Sequence, residues 1–109
     1  MDNQVRETLK LKSQEIQNLY DILRQTVYDS TEVEIVETLW ARLPSYYAGE
    51  KFVRLIPFLD HINIEASAII NHKDELSGYK ITPKGMLQIF LGQQIPTDIL
   101  RKIFNETLG

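Results

Sequence analysis

The stretch Glu50–Gly85, EKFVRLIPFLDHINIEASAIINHKDELSGYKITPKG, limits the fold more than any other part of the chain. It holds, in order, an apolar run of helical period, a β-branched segment and a Thr-Pro pair. In a helix starting at Glu50, Phe52, Val53, Ile56 and Leu59 cover one side, with Lys51, Arg54, Leu55 and Phe58 on the other. Pro57 falls inside that run. There a proline removes a backbone hydrogen bond and clashes with the preceding turn, at a cost of about 3 kcal/mol. The helix therefore kinks at Pro57, or a second short helix opens there and runs to His61. Ile64–Asn71 and Gly78–Ile81 favour strands, and His72–Ser77 joins them as a hairpin. A single helix over Ile64–Leu76, capped by Asn63, is the competing reading, and Ala66 and Ala68 favour it. Thr82-Pro83 is an N-cap and first-turn pair for a helix to Leu91, which Gly92 stops.

The flanks read as helices. Over residues 3–28, Leu9, Ile16 and Leu23 recur every seven residues, with Val5, Leu19, Tyr20 and Val27 close to the same stripe, while Lys12 and Thr26 interrupt the intermediate seam positions. Such a helix either lies on its own domain or serves as a dimer arm. Asp29-Ser30-Thr31 breaks it, and Thr31 with Glu34 fits a capping box for a second helix. That helix buries Val33, Val36, Leu39, Trp40 and Leu43, and Pro44 ends it. Ser45–Gly49 is then a turn carrying Tyr46 and Tyr47. Thr97 caps a last helix with Ile99, Leu100, Ile103, Phe104 and Leu108 as its apolar positions. The expectation is a mainly α single domain with one short β-hairpin: an N-terminal helix over 3–28, a core over 29–91 and a C-terminal helix over 96–109.

A chain of 109 residues with 43% hydrophobic and 25% charged residues is large enough to bury a core without staples. It has no cysteine, so disulfides, thiolate metal sites and cysteine nucleophiles are all excluded. No signal-peptide core and no apolar run of membrane-spanning length is present, and a cytoplasmic protein is expected. His61 and His72 match no zinc spacing, the five glycines form no phosphate loop, and no serine has a nucleophile-elbow context. The reading is a chain with no catalytic site, cofactor or metal. Charge is polarised along it. Asp29, Glu32, Glu34, Glu37 and Glu50 face Arg42 alone over residues 29–50, whereas Lys80, Lys84, Arg101 and Lys102 outnumber Asp98 and Glu106 over residues 80–109.

The order helix, hairpin, helix resembles the winged helix-turn-helix superfamily, particularly MarR- and PadR-like regulators. Gly78-Tyr79-Lys80-Ile81-Thr82-Pro83-Lys84-Gly85 is similar to the phrase with which those proteins leave the wing and enter the next helix. Val53-Arg54-Leu55-Ile56 with Leu59 is similar to the end of a recognition helix. The resemblance covers roughly residues 15–91 and rests on a short motif. It implies that Lys51 and Arg54 face the major groove of double-stranded DNA, that His72, Lys73 and Lys80 belong to the wing, and that the terminal helices build a homodimer. Three features depart from it: Pro57, the apolar Leu55 and Phe58 on the proposed DNA face, and a net charge of −3. Two function classes follow. One is a non-enzymatic DNA-binding regulator that uses Lys51, Arg54, Lys73 and Lys80. The other is a protein-interaction module, an adaptor or inhibitor, docking through Tyr46, Tyr47, Leu55 and Phe58. A plain helical bundle without a hairpin would deprive the wing residues of their meaning.

Overall fold

Asp2 opens the first helix, its carboxylate accepting the N–H groups of Gln4 and Val5, and α1 runs over Asn3–Lys10. Ser13 then caps α2, Gln14–Asp29, by accepting the N–H of Ile16. Leu9, Ile16 and Leu23 are all buried, so the heptad seam exists but is shared by two helices. The computed structural model describes residues 1–109. After α2 come four consecutive strands: β1 (Val36–Trp40), β2 (Leu43–Ala48), β3 (Lys51–Pro57) and β4 (His61–Ala66). Short 3-10 segments over Ser67–His72 and Asp74–Leu76 lead to β5 (Lys80–Ile81) and β6 (Leu87–Phe90), and α3 (Thr97–Leu108) closes the chain.

The six strands form one sheet of order β1-β2-β3-β4-β6-β5, every pairing antiparallel. Alternation along the strands decides what each face does. Tyr46 and Ala48, Val53 and Leu55, Ile62 and Ile64, and Leu87 and Ile89 point to one side, where α2 and α3 pack on β3 and β4. Leu100, Ile103, Phe104 and Leu108 of α3 join Ile16, Tyr20, Leu23 and Val27 of α2 above them in a single core of 23 buried residues. All the helices lie on that side. The other face carries no helix.

The mainly α expectation is thus overturned: the fold is α+β, built on a six-stranded antiparallel sheet. Residues 3–28 are two helices, broken at Leu11–Ser13. The second expected helix is replaced by β1, a two-residue turn at Ala41-Arg42, and β2. The third is β3, so Pro57 is no helix kink; it sits at a strand end, paired with Ile62. Of the hairpin, Ile64–Ala66 and Lys80–Ile81 are strand, but they do not pair with each other. β4 and β5 both pair with β6, which occupies part of the expected Thr82–Leu91 helix. The Thr31–Glu34 capping box has no helix to cap; Thr31 Oγ1 instead donates to the Gly109 carbonyl and accepts from Val33 N–H. The last helix lies where the periodicity places it, but Thr97 is its first residue and not its cap: Pro96 stands at that position and no side chain caps the helix.

Candidate functional site

The helix-free face of the sheet carries Thr38 and Trp40 on β1, Ser45 and Tyr47 on β2, Phe52, Arg54 and Ile56 on β3, and His61, Asn63 and Glu65 on β4. Gln88 and Phe90 of β6 continue it, and Lys80 of β5 ends it. Its organiser is Arg54, only 5% exposed although no helix covers it. The guanidinium is sandwiched between the rings of Phe52, 3.8 Å from its centroid, and Trp40, at 4.1 Å. Around its edge, Nε donates to Ser45 Oγ at 3.1 Å, Nη1 to Glu65 at 3.0 Å and Nη2 to the Tyr47 hydroxyl at 3.1 Å. The register dictates this cluster, since Ser45 and Glu65 are the direct cross-strand neighbours of Arg54 and Tyr47 is opposite Phe52. A planar fork with two stacking faces can serve all five groups at once; a lysine cannot.

A second stack lies toward the β3–β4 turn. Phe58 stacks on His61 at 4.7 Å, with 9° between the planes, and His61 on Phe90, also at 4.7 Å. Between the two stacks Gln88 donates to Asn63 at 3.1 Å. Trp40 remains 53% exposed and Phe58 42%, so each stack presents one large ring to solvent. At one end of the sheet a groove of about 480 Å³ opens beside Phe52, lined also by Lys51, Glu65, Ser67 and Lys84.

On the helix side, a second polar cluster is closed rather than open. The hydroxyls of Tyr20 and Tyr46 are 2.6 Å apart, and burial pushes both phenols well above their ordinary range. Beside them Glu37 accepts a forked pair of bonds from Arg24, the shorter 2.6 Å, and one from the Asp2 N–H. Burial acts to raise the Glu37 pKa, but those donors outweigh it and hold the carboxyl below its ordinary value. These bonds fasten α2 and the residue before α1 to β1 and β2. No family model matches the chain, and no curated protein or solved structure is significantly similar to it.

The residues expected to form sites are redistributed. Tyr46 and Leu55 face the helices and are fully buried, so neither can touch a partner. Tyr47 and Phe58 do share the helix-free face. Lys51 stands at the start of β3, Arg54 is locked inside the sheet, Lys73 lies between the two 3-10 segments and Lys80 is on β5. These cations are therefore not arrayed on a recognition helix, and the one at the centre is neutralised by Glu65. Trp40, Phe52, His61 and Phe90 contribute to the face beyond the expected site residues; the signal in the sequence is that Phe52, Arg54 and Ile56 alternate as one face of a strand. His72 is held between two carboxylates, Glu75 on Nδ1 and Glu106 on Nε2, each at 2.6 Å. The acids sit on opposite edges of the ring and do not converge on one point, and no group of His, Asp and Glu is arranged to hold a metal ion.

Proposed function

We propose that this chain is a protein-binding module that engages its partner through the helix-free face of the sheet. The observation that supports this best is Trp40, half-exposed yet held in place by stacking on a buried, fully engaged arginine. Pre-organised aromatic rings with one free face are the usual anchors of protein interfaces, because little side-chain entropy is left to lose on binding. Phe58 supplies a second anchor, and Tyr47 and Phe52 lie in the same layer. Between them Gln88, whose amide nitrogen is held by the buried Asn63, offers its side-chain carbonyl as an acceptor to an extended segment. A nucleic-acid strand fits this face less well. Arg54 is paired with Glu65, the acids Asp60 and Glu65 lie on or beside the face, and the chain as a whole carries −3; the unpaired Lys51, Lys80 and Lys84 stand only at its margins, whereas phosphates need unpaired cations along the track of the strand. The partner is therefore a protein segment that presents apolar side chains.

The test is selection of binding segments from a displayed random-peptide library on the immobilised chain. Selected peptides are then titrated while the fluorescence of Trp40, the single tryptophan, is followed. The expected result is a shifted Trp40 emission and a loss of affinity of about tenfold or more in Phe58→Ala, with the circular dichroism unchanged. Peptides that bind Phe58→Ala and Trp40→Ala as well as the unaltered chain would remove this face from the interaction. Salt-sensitive quenching of Trp40 by an oligothymidylate, in the absence of peptide binding, would reassign the face to single-stranded nucleic acid.

A further inference from the structure

The two edges of the sheet are finished differently. β5 is two residues long and carries Lys80, and a short, charged edge does not recruit another strand. β1 has five residues in unbroken register with β2, with no proline, lysine, glycine or bulge. Val36 and Trp40 on it are 56% and 53% exposed.

The hydrogen-bonding phase of β1 follows from its turn. Ala41 and Arg42, at φ +49° and +67°, form a two-residue hairpin turn closed by Trp40 and Leu43, which makes that pair a hydrogen-bonded one. By alternation, Thr38 with Ser45 and Val36 with Tyr47 are bonded pairs too. Pro44 agrees independently: it has no N–H, so its pairing with Leu39 has to be of the non-bonded kind. The main-chain N–H and C=O groups of Glu37 and Leu39 therefore point away from β2. No turn, loop or side-chain hydrogen bond reaches them, the bonds of Glu37 being made by its carboxylate.

We propose that β1 pairs antiparallel with β1 of a second copy of this chain, about a two-fold axis through Thr38. New bonded pairs have to be built from Glu37 and Leu39, and this axis sets Glu37 of each copy against Leu39 of the other, giving four main-chain hydrogen bonds. Thr38 then meets Thr38, and Val36 meets Trp40, in non-bonded pairs where side chains approach most closely. The exposed apolar residues of the edge cover one another. An axis through Glu37 would set two carboxylates face to face. An axis through Leu39 would carry the pairing into Ala41, where the strand has already turned. Hydrogen bonding, charge and apolar content agree on one register, and that self-complementarity is what selects a second copy over a foreign strand. The result is one sheet continuous across two molecules, with both helix-free faces on the same side.

Sedimentation from roughly micromolar to roughly millimolar protein, combined with amide exchange, tests this. The expected result is a mass rising to twice 12.7 kDa, with exchange at the Glu37 and Leu39 amides slowed about tenfold or more as the dimer fills. Thr38→Lys places two ammonium groups on the axis and is expected to stay monomeric, whereas Thr38→Val is expected to dimerise. In a chain without cysteine, Thr38→Cys is expected to cross-link to itself on oxidation. A monomer at every concentration, or a dimer whose Glu37 and Leu39 amides exchange as fast as in the monomer, would overturn the pairing. If Thr38→Lys fails to fold, the exchange pattern of the unaltered chain decides. Trp40 is shared with the binding proposal, because Val36 of the second copy covers it and dimerisation alone also shifts its emission; peptide binding is therefore judged by its loss in Phe58→Ala, since Phe58 lies at the β3–β4 turn and not on β1.

Discussion

Two residues carry most of what is chemically particular about this chain. Arg54 makes hydrogen bonds to Ser45, Glu65 and Tyr47 and stacks on two rings, so it acts as the rivet of the helix-free face. Arg54→Lys keeps the charge but loses the fork and both stacking planes. It is expected to lower stability by about 2 kcal/mol in urea unfolding and to change Trp40 emission. His72 works at the other side of the molecule. Hydrogen bonds to Glu75 and then Glu106 favour its protonated form and outweigh desolvation, so its pKa is raised above 6.5. The folded state thus binds the proton more tightly than the unfolded chain does. The resulting stability is fully present below the unfolded pKa and disappears as pH rises through the folded one. His72→Gln is therefore expected to destabilise the protein clearly at about pH 6 and much less at about pH 9. A loss equal at both pH values would mean that packing, not charge, is what His72 contributes.

At the scale of elements, the β1–β2 turn is where the sequence was most misleading. Val36, Leu39, Trp40 and Leu43 fall at i, i+3, i+4 and i+7, which is the helical spacing. Nothing between them signals a reversal, because the turn residues are Ala41 and Arg42 and neither is a natural occupant of positive φ. In β3, Val53–Pro57 are buried without a break, since Arg54 and Ile56 are covered on the helix-free face as well. Alternation, the mark of a strand, is erased there. A usable signal did exist at Gly49-Glu50, where glycine at φ +64° opens a two-residue turn between Tyr46-Tyr47 and Phe52-Val53. α2 and α3 were legible because each has a single buried stripe. Lys51 and Arg54 were legible as cations but not as partners, because the register that sets Arg54 against Glu65 cannot be read locally. The unfavourable turn also yields a prediction. Replacing Ala41-Arg42 by Asn-Gly relieves left-handed strain at two positions and is expected to stabilise the fold by about 1 kcal/mol, after the extra freedom of glycine in the unfolded chain is offset. Unchanged or lowered stability in urea would show that the turn is not strained.

For the molecule as a whole, the decisive asymmetry is that helices cover one side of the sheet and not the other. Two phenylalanines measure it. Phe104 of α3 is fully buried between the helices and the sheet, and Phe104→Ala leaves a cavity that close-packed neighbours cannot fill, at an expected cost of about 3–5 kcal/mol. Phe58 lies on the opposite side, 42% exposed and resting on His61. Its loss removes one stacking contact while water takes the vacated place, so Phe58→Ala is expected to cost about 1 kcal/mol or less. If the two substitutions were equally damaging, the helix-free face would be a second core, with its rings serving stability instead of recognition. If the gap is as large as expected, the Phe58 ring contributes little to folding while lying in the same aromatic layer as Trp40. A ring that the fold can spare is one that a partner can use, and the Phe58→Ala protein, folded and nearly as stable, is then a clean instrument for measuring what binds there.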